Sequence, residues 1–143
     1  MKTRGSLSAI NRDIRKVLAL EAAALKRVRA AVNGSYAQAV LLLARCRGKV
    51  ILTGIGKSGL IAQKIAATLS STGTPAIYLD AAEALHGSLG LVQKLDLVIA
   101  IGKSGESDEL NNLLPRLRAI GAKVIAITAN ANSTLARKAS LVL

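Results

Sequence analysis

The stretch Lys49-Val50-Ile51-Leu52-Thr53-Gly54-Ile55-Gly56-Lys57-Ser58-Gly59 decides the fold. Val50 to Thr53 is a short β-favouring run with no apolar–polar alternation, as expected of a strand buried on both faces. It ends in glycines, and a helix is predicted from about Ser58 to Ser71. Working outward, the same texture repeats. Pro75 to Leu79 predicts a second strand, and Leu95 to Ile101 a third that again ends in a glycine loop. Glu106 to Ile120 reads as a helix, with Pro115 counting against it. Val124 to Thr128 is a fourth strand. Ser133 caps a short helix, and Ser140 to Leu143 begins a fifth strand. Apolar strands alternating with helices predict an α/β fold: a three-layer, doubly wound parallel sheet covered on both faces. The sequence stops at the edge of that fifth strand, so the expectation is a domain lacking its C-terminal part.

Upstream, Leu7, Ile10, Ile14, Val17, Leu18, Leu25, Val28 and Val32 recur at helical spacing and mark one face of a long helix. Its other face is rich in Arg and Lys. Gly34-Ser35 breaks the chain, and Ser35 is a candidate N-cap for a second helix to about Cys46. The expected division is residues 1–47, helices packing on the domain or on a partner subunit, and residues 48–143, the α/β domain.

The 143 residues suit one domain with a real core, and the strongly apolar composition excludes a disordered chain. The net charge is +12, but residues 1–49 hold eleven Lys/Arg against two acids, and residues 50–143 nine against six. The excess sits on the leading helices, as a solvated face or one that meets an acidic partner surface. Tyr36 and Tyr78 are the only aromatics, too few for a base-stacking surface, so no nucleic-acid partner is expected. No apolar run reaches membrane-spanning length, so no membrane partner is expected either. There is no signal-peptide pattern, and the single Cys46 forms no internal disulfide. A cytoplasmic location is the expectation.

Both glycine loops fall where strands end, the place at which open α/β sheets bind ligands. Gly54-x-Gly56-x-x-Gly59, with Asp80 ending the next strand 21 residues later, matches a dinucleotide fingerprint in form. A nucleotide P-loop fits worse, because Ile51 and Leu97 stand where its first glycine belongs. The second loop, Gly102-Lys103-Ser104-Gly105-Glu106-Ser107-Asp108-Glu109, sets two hydroxyls three residues apart at a helix start. Free helix N–H groups and serine hydroxyls suit a phosphate. The plainer reading makes Ser104 an N-cap, with Glu106 and Glu109 ordinary first-turn acids.

These loops, together with Lys64 to Pro75, Ala82-Glu83-Ala84-Leu85-His86-Gly87 and Leu89-Gly90, resemble the sugar isomerase (SIS) domain. More narrowly, they are similar to that of D-arabinose 5-phosphate isomerases, in the family's order across most of residues 48–143. The resemblance implies interconversion of D-arabinose 5-phosphate and D-ribulose 5-phosphate through an enediol, with no redox cofactor, in the supply of a lipopolysaccharide or capsule sugar. It makes Lys57 a catalytic or substrate-orienting lysine and Glu109 a group in the proton steps. It makes Gly56, Ser58, Ser104, Gly105, Glu106 and Ser107 substrate contacts, and His86 a residue that meets the sugar or a divalent metal. Glu83 is assigned to structure. Gly102 departs from the pattern, standing where many SIS domains carry another serine. The resemblance also implies a homotetramer with the leading helices at subunit contacts, further site residues (a Glu and a His) beyond position 143, and paired CBS domains in longer members.

Two other readings stay open on sequence. A non-catalytic phosphosugar sensor would also use an SIS domain, and the basic N-terminus suits a regulator, although residues 1–46 do not read as a helix-turn-helix. A dinucleotide-dependent enzyme would use the first loop as its fingerprint.

Overall fold

A computed structural model describes residues 6–143. Helix α1 (Leu7–Ala31) is capped by Ser6, whose Oγ accepts from the Ala9 N–H at 3.3 Å. None of its residues is buried. The helix belongs to a compact unit that ends at Gly34, and a second unit runs from Ser35 to Leu143. The second unit takes in α2 (Gly34–Ala44) almost whole. This helix begins one residue before the expected cap, so Ser35 lies in its first turn.

The second unit is a five-stranded, all-parallel sheet in the order β2-β1-β3-β4-β5. The strands are β1 (Val50–Gly54), β2 (Ala76–Tyr78), β3 (Leu97–Ile101), β4 (Lys123–Ile127) and β5 (Leu141–Val142). Leu52 pairs with Tyr78 on one side and Ile99 on the other, and Ile99 pairs with Ile125. Every residue of β1 and β3 is buried, as their unbroken apolar runs require of inner strands. Odd and even positions split between two cores. Val50, Leu52, Leu97, Ile99 and Ile125 pack with Ala39 of α2 and with Ala62 and Ala66 of α3 (Lys57–Ser71). Ile51, Val98, Ala100, Val124 and Ala126 pack under α4 (Ala81–Leu85), α5 (Asp108–Ile120) and α6 (Thr134–Lys138). The three-layer doubly wound architecture is as expected.

Two local differences have physical causes. Helix α5 starts at Asp108 rather than Glu106, because Ser104 to Ser107 form a tight loop whose geometry is fixed elsewhere (below). It then runs through Pro115 without a break. Pro115 is exposed, while Leu110, Leu113, Leu114 and Leu117 are buried on the other face. Burying four leucines stabilises the helix by about 6 kcal/mol or more, which exceeds the roughly 3 kcal/mol an interior proline costs. Between β2 and β3 the chain adds α4 and a 3-10 turn (Ser88–Leu91), elements too short to carry periodicity. Below the sheet, the buried Asp96 carboxylate accepts from the Lys49 and Gln93 N–H groups at 2.9 and 2.8 Å and pairs with Lys49 Nζ at 2.7 Å. Burial alone would raise its pKa. Those bonds outweigh it and hold the carboxyl below its ordinary value. Among the described residues no helix is long and apolar enough to cross a membrane.

Candidate sugar-phosphate site

In the order 2-1-3-4-5 the direction of winding reverses between β1 and β3, and a crevice opens there beyond the carboxyl ends of the strands. The structure has a cavity of about 520 Å³ at this point, lined by Ile55 and Ser58 after β1, Ile101 to Ser104, Ser107 and Leu110 after β3, and Ala129 and Asn130 after β4. It brings together three of the predicted residues, Ser58, Ser104 and Ser107. It does not bring in Gly56, Lys57, Gly105, Glu106, Glu109 or His86.

The loop after β3 owes its shape to Gly105. Its φ is 69°, and a Cβ there would overlap the Ser133 side chain at the start of α6. Only glycine allows that approach. The Gly105 carbonyl accepts from Leu135 N–H at 3.0 Å and from Asn111 Nδ2 at 3.4 Å, tying the loop to α6 and to the first turn of α5. Gly105 therefore acts here through backbone shape rather than by lining the cavity. Glu106 is turned the same way. Its Oε1 accepts from the Thr134 N–H at 2.8 Å, and these bonds to Thr134 hold its carboxyl below the ordinary value.

Ser107 is the N-cap residue of α5, yet its hydroxyl bonds none of the helix N–H groups. Asn111 N–H bonds the Ser107 carbonyl at 3.0 Å. No carbonyl or side chain among the described residues takes the N–H groups of Asp108, Glu109 or Leu110. Helix α3 differs: its N-cap Gly56 has no side chain, but the N–H groups of Ser58, Gly59 and Leu60 bond the carbonyls of Ile55 and Gly56. The open set of donors is therefore at α5, where the helix dipole also favours an anion. Ser104 Oγ accepts from the Glu106 N–H at 3.3 Å, which fixes this hydroxyl at the cavity edge. Ser104 caps no helix, so the plainer N-cap reading of it does not hold.

The residues that gave the first loop its dinucleotide fingerprint have structural roles in this geometry. Asp80, the acid that reading needs, is the N-cap of α4: its Oδ1 accepts from Ala82 and Glu83 N–H at 2.9 and 3.1 Å, and its Oδ2 lies 3.1 Å from Tyr78 Oη. These bonds, the Glu83 N–H foremost, lower its pKa. Gly59 serves packing, since a Cβ would come within 2.8 Å of the Gly54 carbonyl and of Tyr78 Oη.

Lys57 is the first, exposed residue of α3, next to Ser58. Glu109 is half-buried in the first turn of α5, two residues after Ser107. Both flank the cavity without lining it. His86 is exposed at the end of α4. Among the described residues no three His, Cys, Asp or Glu side chains gather where they could hold a metal ion. Sequence reasoning missed Lys103, Ala129 and Asn130. The Asn130 Oδ1 is taken by the Asn132 N–H at 3.0 Å, so its amide N–H groups remain for the cavity.

A second cleft of about 400 Å³ lies at the opposite, amino end of the strands, lined by Arg45, Arg47, Lys94 and Lys123 among others. It is richer in charge but has no converging helix N-termini.

A family model described as the SIS domain matches residues 42–143. The chain is 47% identical over 132 residues to an arabinose 5-phosphate isomerase, KpsF, of Escherichia coli, covering 92% of this chain and 40% of that protein. It is 45% identical over 126 residues to a probable arabinose 5-phosphate isomerase of Haemophilus influenzae, covering 88% and 37%. The chain thus spans about two fifths of the length of these curated relatives. An Escherichia coli protein solved in complex with arabinose 5-phosphate superposes with a TM-score of 0.92 at 38% identity, over 96% of this chain and 73% of that one.

Proposed function

The chain belongs to the SIS domain family, and from that premise we propose that it is the sugar-phosphate-binding domain of an aldose–ketose isomerase acting on D-arabinose 5-phosphate. The observation that carries this is the cavity at the switch point, where the free N–H groups of α5 meet the hydroxyls of Ser58, Ser104 and Ser107. These donors match the oxygens of a phosphate ester, and the space beside them takes a five-carbon chain. The relatives named above support the choice of sugar.

The reaction moves a proton between C2 and C1 of the open-chain sugar. A base removes the C2 proton of the aldose to give an enediol, and the proton is returned at C1 to give D-ribulose 5-phosphate. Glu109 is the residue assigned to the proton steps and Lys57 the one assigned to the developing negative charge on the oxygens. His86 is assigned to the sugar. The chemistry moves no electrons to an acceptor, so no redox cofactor is required. The setting proposed with it is cytoplasmic, in a homotetramer that supplies a lipopolysaccharide or capsule precursor.

The test is conversion of arabinose 5-phosphate to ribulose 5-phosphate by the purified protein. Lys57→Ala and Glu109→Gln are each expected to lower turnover by about a hundredfold or more, the usual scale for a proton-transfer group, with the fold retained. Full activity in Lys57→Ala sinks the assignment of that residue. Tight binding of arabinose 5-phosphate without turnover supports a phosphosugar sensor instead.

A further inference from the structure

The hydroxyls of Ser58, Ser104 and Ser107 and the N–H groups of α5 are all neutral donors. Among the residues that line the cavity, Lys103 alone carries a charge. Its backbone is fixed: the Lys103 carbonyl accepts from Ala129 N–H at 3.1 Å and from Thr128 Oγ1 at 3.2 Å. Its side chain is exposed and enters no hydrogen bond, and the one salt bridge among the described residues is Lys49–Asp96, elsewhere in the fold. The acid closest along the loop, Glu106, is committed to Thr134. Lys103 is therefore a charged residue of the cavity wall whose ammonium meets no anion among the described residues.

The neighbouring position explains why a cation belongs there. Gly102 offers no hydroxyl. A Cβ at 102 would come 3.3 Å from Leu110 Cδ1 and 3.4 Å from Leu135 Cδ2. Two leucines thus close the space into which a side chain at 102 would grow, and that wall of the cavity is apolar. A phosphate monoester carries nearly two charges at neutral pH. Neutral donors and a helix N-terminus leave much of that charge uncompensated, and a charge-assisted hydrogen bond is about twice as strong as a neutral one.

We infer that Lys103 is a specificity-determining residue of this site: it meets the phosphate dianion and makes the cavity select phosphate esters over neutral sugars. This rests on reading the cavity as a sugar-phosphate site. The step is binding only, and Lys103 takes no part in the proton transfers.

Calorimetric titration tests it with arabinose 5-phosphate, ribose 5-phosphate, inorganic phosphate and arabinose as probes, on the wild-type protein and on Lys103→Met and Lys103→Arg. The methionine keeps the apolar stem and removes only the charge. Lys103→Met is expected to weaken all three phosphates about tenfold or more, the scale of one hydrogen bond to a charged group, and to leave arabinose unchanged. Lys103→Arg is expected to keep most of the affinity. Added salt should weaken the wild type more than the methionine variant. Unchanged phosphate affinity in Lys103→Met overturns the inference. Wild-type binding of inorganic phosphate that depends on Lys103, without preference for arabinose 5-phosphate and without turnover, leaves Lys103 standing and removes the isomerase reading. Failure of every phosphate compound to bind removes both.

Discussion

Ser107 shows how one residue separates binding from stability. It stands at the N-cap of α5, where an Ala replacement ordinarily costs about 1 kcal/mol. Its hydroxyl bonds no helix N–H, so that loss is not expected. Ser107→Ala should change unfolding stability by less than about 0.5 kcal/mol, the range of neutral surface changes. It should weaken phosphate binding about tenfold, the scale of a lost hydrogen bond to a charged group. Chemical denaturation and phosphate titration of the same variant check both halves. Asp96 is the opposite case, a carboxylate that serves only the fold. Its folded pKa lies below its unfolded one, so its contribution is present above the ordinary carboxyl range and is lost as pH falls through the folded pKa. Asp96→Asn should cost about 1–3 kcal/mol at neutral pH, since it weakens bonds to a buried charge. The gap to wild type should begin to narrow as the pH falls below the ordinary carboxyl value of about 4, where Asp96 of the unfolded chain takes up its proton, and should close as the pH passes the lower folded pKa. Denaturation curves at both pH values test the sign.

At the scale of elements, α5 carries both halves of the account: its leucines hold it to the sheet and its N-terminus faces the cavity. Pro115 is the flaw in it. Pro115→Ala restores a backbone N–H and removes a clash with the preceding turn, a gain of up to about 3 kcal/mol in a helix interior. It also frees the unfolded chain, which offsets about 1 kcal/mol. A net stabilisation of about 1–2 kcal/mol is expected in thermal or denaturant unfolding, with phosphate affinity unchanged. Much of this level was legible in the sequence. Val50–Thr53 and Leu97–Ile101 are doubly buried, so they show as unbroken apolar runs. Ser58 and Ser104 sit beside glycines that announce the loops, and Ser107 follows Gly105 by two residues. The start of α5 was misplaced because Glu106 looks like a first-turn acid, whereas its partner is the Thr134 N–H, 28 residues away. Lys103 and Asn130 were illegible as a pair for the same reason. They line one cavity because β3 and β4 are neighbours, and the β4 loop carries no glycine motif.

For the whole molecule, the long leading helix is the open term. The apolar positions of α1 that the sequence aligned on one face, Ile10, Ile14 and Val17 among them, remain exposed in the single chain. The proposed tetramer gives them a partner. Ile14→Asp with Val17→Asp should lower the assembly state seen by light scattering while leaving the 35–143 unit folded. An unchanged assembly would place the subunit contacts elsewhere. The excess positive charge was legible from composition alone, but composition did not separate the two clefts at opposite ends of the sheet. The amino-end cleft is lined by more cations, whereas the carboxyl-end cavity has the free helix N–H groups and the serine hydroxyls. The most direct test of the central claim is amide NMR of the protein titrated with arabinose 5-phosphate and, separately, with arabinose. The phosphate ester is expected to shift the N–H signals of Ser104 to Leu110, and arabinose at the same concentration to leave them in place. Shifts confined to Arg45, Arg47, Lys94 and Lys123, at the other end of the sheet, would contradict it.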